Sequence, residues 1–366
     1  MMNCLVLRTK PKNLSCAFVS SNLNKPVLAY SVQYRYHFSK THVDWIHTVK
    51  SVIEQSPSEP EMLIVHCRFT ASEWNGPVLV TQDVIAALRR LVPSAPLHMP
   101  YVISLIESLR DIYPDKTLML ASDTAFFANL AAREYLYGIN PPERLCGSTL
   151  RRYGYCGLYH DAACHDVVRK LRKKGYHKTP RILSICLDSN IEVAGVMGTR
   201  AVTVTSGTTP VDGIPGESTC GDVDPSIILK LLREEKWGPE QVNTLLTEQS
   251  GFYGLTGERV TLKDLFLSAH KPEYTLAKDM ISYKILLAAG SVMAALGGID
   301  AIVFSGTYWQ VGTTIGKTVI NGLKRLRSCG ETPSPNWFFY NDNLSRHIAE
   351  QAYMTYTSAC SKRITA

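Results

Sequence analysis

The chain has 366 residues, 45% of them hydrophobic and 19% charged, with a formal net charge of +7. That length suits two domains, and the balance excludes a disordered or fibrous chain. Part of the positive charge sits in one run, Arg169, Lys170, Arg172, Lys173, Lys174 and Lys178; with no aromatic platform or nucleic-acid module beside it, it reads as a solvated helix end, and no nucleic-acid partner is expected.

The opening residues, MMNCLVLRTKPKN, lack an extended apolar core and a small-residue cleavage signature, so no secretory signal is expected. Ten irregularly spaced cysteines then read as reduced thiols, and the expected location is cytoplasmic. Apolar, β-branched-rich runs at CLVL, CAFVS and VLAYSVQY predict an antiparallel set of strands, and no glycine-rich loop follows the first, which argues against a dinucleotide fold. Trp45, Ile46, Val49, Val52 and Ile53 recur at helical spacing, residues 55–60 read as a surface connection, and MLIVHC reads as a buried strand. TQDVIAALRRLV and PYVISLIESLRDIY predict two amphipathic helices, the second with Pro100 suited to a first turn, and strand TLMLAS follows.

After Asp123 the pattern restarts with strands RILSICL and IEVAGVM, several helices, a long helix near 277–297, strand DAIVFSG, helix GTTIGKTVINGLKRLRS and strand NWFFY. The apolar stretch 280–296 contains Lys284 and two serines, so it is expected to be a buried helix and not a membrane span. RSCGETPSPN reads as a surface connection, and an amphipathic segment over about 343–356 closes the chain. The fold class is α/β, in two strand-then-helix halves.

Six phrases in order, PSAPLHMP, SDTAFF, RRYGYCGLYH, GDVDPSI, SGFYGLTG and GGIDAIVFSG, resemble motifs of the acetate kinase family. The resemblance implies two related actin-like ATPase (ribonuclease H-like) domains around a central cleft. The first is expected at 1–124 with the C-terminal helix 342–366 returning to it, the second at 125–341. It further implies ATP and Mg2+ as cofactors, a short-chain carboxylate phosphorylated to an acyl phosphate, and a homodimer formed through the second domain.

Carried over position by position, the resemblance places Arg8 and Ser15 at the asparagine and lysine of a serine-rich phosphate loop, with Lys10 and Lys12 nearby. Leu63 stands where an arginine holds the substrate carboxylate, with Arg68 five residues on. Asp123 is retained, a residue that orients the transition-state arginine and a histidine. Cys156 replaces the histidine that meets the phosphoryl group, while His160 keeps the second histidine. In CLDSN, Cys186 and Asp188 replace a histidine and a glycine of a phosphate motif, with Asn190 alongside. Thr219 stands at the arginine that neutralises transition-state charge, near a retained Asp222. Lys263 and Asp264 fall in the adenosine segment, and Ser305 and Gly306 on the nucleotide side. Gln310 takes the place of the metal glutamate, and Tyr308 and Trp309 occupy space meant for the base.

The retained catalytic candidates are thus Asp123 and His160, and the cofactor-binding candidates Asp188, Asn190, Lys263, Ser305 and Gly306. Residues of this kind act as a unit, so the expectation is impaired or absent turnover, with a non-catalytic scaffold or regulatory protein as the alternative. The residues themselves offer one further reading. Cys156, His160 and Cys164 are spaced by four, as metal or redox ligands on a helix face would be; the alternative is that cysteine fills space as a small apolar residue.

Overall fold

Nine- to eleven-residue strands open the chain, and their pairing explains their length: β1 (Met2–Lys10), β2 (Asn13–Asn22) and β3 (Lys25–Arg35) form an antiparallel meander in which polar ends pair as fully as apolar centres. The computed structural model describes residues 2–10, 13–22, 25–35, 45–56, 58–96, 98–140, 150–268, 271–326 and 335–364. The expected surface segment RSCGETPSPN therefore lies mostly outside the described residues, as does Lys12.

The described chain divides into two units, Met1–Ala128 with Asp342–Ala366, and Asn129–Asn341. In unit 1, β4 (Met62–Cys67) runs parallel to β1, β6 (Thr117–Ser122) runs parallel to β4, and the short β5 (Val78–Leu79) closes the edge antiparallel to β6. All six residues of β4 are buried, as an inner parallel strand covered on both faces requires. Helices Gln82–Arg90 and Met99–Ile112 follow their predicted faces, the first with Thr81 capping the Val84 N–H. The C-terminal helix Leu344–Ile364 lies against the strands of this sheet.

Unit 2 repeats the arrangement. β7 (Arg181–Leu187), β8 (Ile191–Met197) and β9 (Arg200–Val204) form an antiparallel meander, β10 (Ala301–Ser305) runs parallel to β7, and β11 (Asn336–Phe339) parallel to β10. The strand order β11-β10-β7-β8-β9 reproduces β6-β4-β1-β2-β3 of unit 1, where only the edge strand β5 is added. Helix Gly157–Lys173 covers β7 and β10, and the long helix Glu273–Leu296 packs on β7, β8 and β9. That helix is long and apolar enough to cross a membrane by composition, yet Tyr274, Ala277, Ile281, Ile285, Ala289, Val292 and Leu296 form a stripe inside the core of unit 2.

Candidate functional site

Within unit 1, chemistry concentrates at the end of β4. His66 is a buried strand residue whose Nε2 donates to Asp123 Oδ2 at 2.8 Å, and Asp123 is itself placed by its N–H donating to the Cys67 carbonyl. Register sets Arg8 of β1 directly beside His66. The Arg68 backbone N–H donates to Nε2 of His98, which lies just before the helix Met99–Ile112. Burial drives the His66 imidazole below its ordinary value against the pull of Asp123, and drives His98 down to about 4, with His66 and Arg68 adding positive potential. Both rings are therefore neutral at neutral pH, beside two arginines and one carboxylate. Next to them, Thr70, Ser122 and Thr124 form a closed hydroxyl cluster, with Thr70 Oγ1 donating to Ser122 Oγ at 2.8 Å and the Thr70 N–H donating to Thr124 Oγ1.

Leu63 lies three residues before His66 on the same strand, so the alternation of β4 turns it to the opposite face, where it is fully buried between Leu5 and Leu118. It is a core residue. Sequence reasoning singled out Asp123 but not His66 or His98, although a histidine inside an otherwise apolar buried strand was a signal.

In unit 2 the site positions are engaged with one another. Glu192, buried on β8, accepts from the backbone N–H groups of Tyr155 and Cys156 and from the Ser206 hydroxyl, and lies 3.3 Å from His160 Nε2. The other nitrogen of His160 meets Ser184 Oγ at 2.8 Å. The retained histidine is thus fixed inside the unit, between β7 and β8. Glu192 was missed by the sequence reading, though a carboxylate within IEVAGVM needs buried partners.

The expected Cys156, His160 and Cys164 constellation does not assemble: among the described residues their ligand atoms do not converge on one point. His160 is turned to Ser184 and Glu192, Cys164 also faces Ser184, and Cys156, which precedes the first helical turn, faces Cys186. These are free thiols; burial raises Cys164 and Cys186, and Cys67 in unit 1 is pushed up to about 12, while Cys156 is raised first by its hydrogen bond with Cys186 and then by burial. Cys156, Cys164 and Cys186 are buried inside unit 2 and Cys67 inside unit 1, where each occupies space as a small apolar group does.

Thr219 Oγ1 donates to Asn190 Oδ1 at 3.1 Å, and Asn190 Nδ2 reaches the Pro210 carbonyl. Asp188 accepts from the Ser189 N–H and the Thr307 hydroxyl. Burial raises Glu217, which accepts from the Leu262 N–H and bonds Tyr308, while Asp188 and Asp264 add negative potential. Asp264 completes a capping box with Thr261, leaving Lys263 exposed on a short helix. Ser305 pairs in register with Cys186 and is fully buried; Gly306 follows at φ +92°, and an added Cβ there would meet the Leu187 carbonyl oxygen at 2.4 Å. Gln310 is exposed in a tight turn, and Trp309 packs near Phe339 with ring centroids 5.9 Å apart.

The acetokinase family profile matches residues 41–330, more than half of the chain. The chain belongs to the acetokinase family. It is similar to the acetate kinase of Thermoanaerobacterium thermosaccharolyticum, 31% identical over 252 residues, covering 68% of this chain and 62% of that protein. It is also similar to the acetate kinase of Clostridium botulinum strain Alaska E43, 27% identical over 78% of this chain and 73% of that protein. The Thermoanaerobacterium alignment thus spans less than two thirds of its relative's length. Among solved structures, the acetate kinase of Porphyromonas gingivalis superposes with a TM-score of 0.81 at 21% identity, covering 97% of this chain and 99% of that one. A propionate kinase of Francisella tularensis gives 0.81 at 20% identity. The fold is that of the acetate kinases, and ATP and magnesium use belongs to the family in general.

Gln310 presents a neutral amide, a poorer magnesium ligand than a carboxylate, and Asp188 and Asp264 add negative potential at Glu217, with Lys263 exposed beside Asp264.

Proposed function

We propose that this protein is an acetokinase-family member in which unit 1 keeps a centre able to bind a small carboxylate, while unit 2 no longer performs phosphoryl transfer from ATP. Formation of acetyl phosphate and ADP from acetate and ATP is then lost or greatly reduced, and the protein acts as a binding or regulatory relative of the kinases. The observation that carries this reading is Thr219: at the position of the transition-state arginine stands a neutral hydroxyl already donated to Asn190. An arginine in that role is worth on the order of a thousandfold or more in rate, and an added carboxylate at Asp188 opposes phosphate further.

The test is the hydroxamate assay for acyl phosphate with acetate, propionate and butyrate, run beside a family enzyme, with titration calorimetry of magnesium and ATP. Acyl phosphate formation at a rate comparable to the reference enzyme would sink the proposal. We also place the protein in the cytoplasm, as a homodimer assembled through unit 2, where Leu276, Tyr283 and Leu287 leave an apolar stripe exposed on the helix Glu273–Leu296.

A further inference from the structure

Cys156 and Cys186 come from separate elements of unit 2, and the fold sets them against each other. His160 Nδ1 meets Ser184 Oγ at 2.8 Å, which seats the first turns of the helix Gly157–Lys173 on β7. The His160 N–H donates to the Cys156 carbonyl, so Cys156 lies one helical turn before His160. Cys186 lies next but one after Ser184, on the same face of β7. A helical turn and two strand residues each cover roughly 6 Å, so the step that leads from His160 to Cys156 matches the step from Ser184 to Cys186. A second element gives the same placement: Glu192 stands opposite Cys186 in the β7–β8 ladder, and its carboxylate accepts from the Cys156 N–H at 2.9 Å.

The two thiols are hydrogen-bonded to each other. That bond is the leading cause that holds the Cys156 thiol protonated; Cys186 is raised by burial, and the bond from Cys156 opposes the rise. Cys186 is thus the sulfur that the contact favours as a thiolate. Neighbouring thiols are engaged elsewhere, Cys164 with Ser184 and Cys220 with the Gly221 carbonyl. Among the described residues no histidine or carboxylate completes a three-ligand metal group with the two sulfurs. The chemistry open to the pair is between the sulfurs themselves.

We propose that Cys156 and Cys186 are a thiol switch, joined as a disulfide by a small peroxide and released by an excess of a small thiol. The Cys186 thiolate attacks one peroxide oxygen; an S–O bond forms, the O–O bond breaks and hydroxide leaves. The Cys156 sulfur then displaces the oxygen of the Cys186 sulfenic acid; the S–S bond forms, the S–O bond breaks and a second hydroxide leaves. The two hydroxides take up the two thiol protons, so the thiols lose two electrons and hydrogen peroxide becomes two waters. Exchange with an external thiol reverses the step. Burial sets the rate: at 5% and 0% exposure the pair meets oxidant only through local opening, and the reaction is slow and quickens as pH rises. The bond ties the residue before the helix Gly157–Lys173 to the end of β7, which constrains the unfolded chain and stabilises unit 2.

The test is to treat the folded full chain with hydrogen peroxide, block the remaining thiols, and map the disulfides by mass spectrometry of an unreduced digest. The expected result is a peptide joining Cys156 to Cys186 as the main disulfide, with loss of two of the ten thiols. The unfolding temperature should rise with that loss and return when dithiothreitol is added. Cys156→Ala should abolish both the linked peptide and the shift. If that variant does not fold, the wild-type map decides, compared with the same oxidation in urea, where cysteines pair without this preference. Three results would overturn the switch: a native map dominated by other cysteines, sulfinic acid at either position without the linked peptide, or no reaction of the folded chain under conditions that oxidise the unfolded one.

Discussion

His98 makes unit 1 sensitive to acid. Its folded value of about 4 lies below the ordinary 6.5, so between these two values the unfolded chain takes up a proton that the folded chain refuses. Stability is thus complete above about 6.5 and declines as pH falls toward 4, by up to roughly 3 kcal/mol from this group. His66, lowered for the same reason, acts in the same direction. Urea unfolding across this window should show the decline, and His98→Gln, which keeps an acceptor for the Arg68 N–H, should reduce the slope by about one proton. An unchanged slope in that variant would assign the acid sensitivity elsewhere. Glu192 is the corresponding residue of unit 2, where one carboxylate satisfies two backbone donors and a hydroxyl beside His160. Glu192→Leu should cost about 3–5 kcal/mol in thermal or denaturant unfolding, because it strands two buried backbone donors and the Ser206 hydroxyl and removes the carboxylate beside His160. Glu192→Gln, which retains an acceptor oxygen, should cost clearly less; equal losses in the two variants would mean that shape and not hydrogen bonding sets the effect.

At the scale of elements, the helix Glu273–Leu296 separates two roles by face. Ile281 and Ile285 are fully buried in the core, so Ile281→Ala should destabilise by about 2–4 kcal/mol. Leu276 and Leu287 are exposed, so replacing both by Glu should change stability by less than about 0.5 kcal/mol each. The same double change should turn the proposed dimer into monomer in light scattering after gel filtration; a wild-type chain that is monomeric, or a dimer that persists in the variant, would remove this face as the interface. The strand bounds of β4, β6, β7 and β8 were legible because each is a short apolar run buried on both faces, and burial is what such a run signals. β9 was not legible, since RAVTV is half-exposed and its pairing with β8 slips at Gly195, and β5 spans only two residues. The ends of β1 to β3 ran past their apolar centres because main-chain pairing does not depend on side-chain polarity. At the site, Asp123 could be found by motif, but its partner is 57 residues away and only the β4–β6 pairing brings His66 to it. Likewise, spacing alone put Cys156, His160 and Cys164 together, whereas each side chain had a better partner on β7 or β8.

Over the whole molecule, the same strand order is built twice, yet the two units have kept different things. Unit 1 retains a buried polar centre of arginines, histidines and a carboxylate. In unit 2 the corresponding effort goes into internal satisfaction: Glu192 holds the chain around Cys156, Asn190 holds Thr219, and Thr261 and Leu262 hold Asp264 and Glu217. A polar group committed to such bonds is not available to a phosphate without breaking them. Recovery of phosphoryl transfer should therefore require several positions at once. Thr219→Arg alone should leave hydroxamate formation within about threefold of the wild-type chain, because phosphate and metal contacts are used together in this chemistry. Thr219→Arg combined with Cys156→His, Asp188→Gly and Gln310→Glu should exceed the single variant, measured in the same assay with circular dichroism to confirm folding. If Thr219→Arg by itself restored the roughly thousandfold gain that a transition-state arginine supplies, the phosphate and metal positions would be competent as they stand. The proposed loss of phosphoryl transfer would then reduce to one residue, and the argument that the other positions of unit 2 are held by their internal bonds would have to be abandoned.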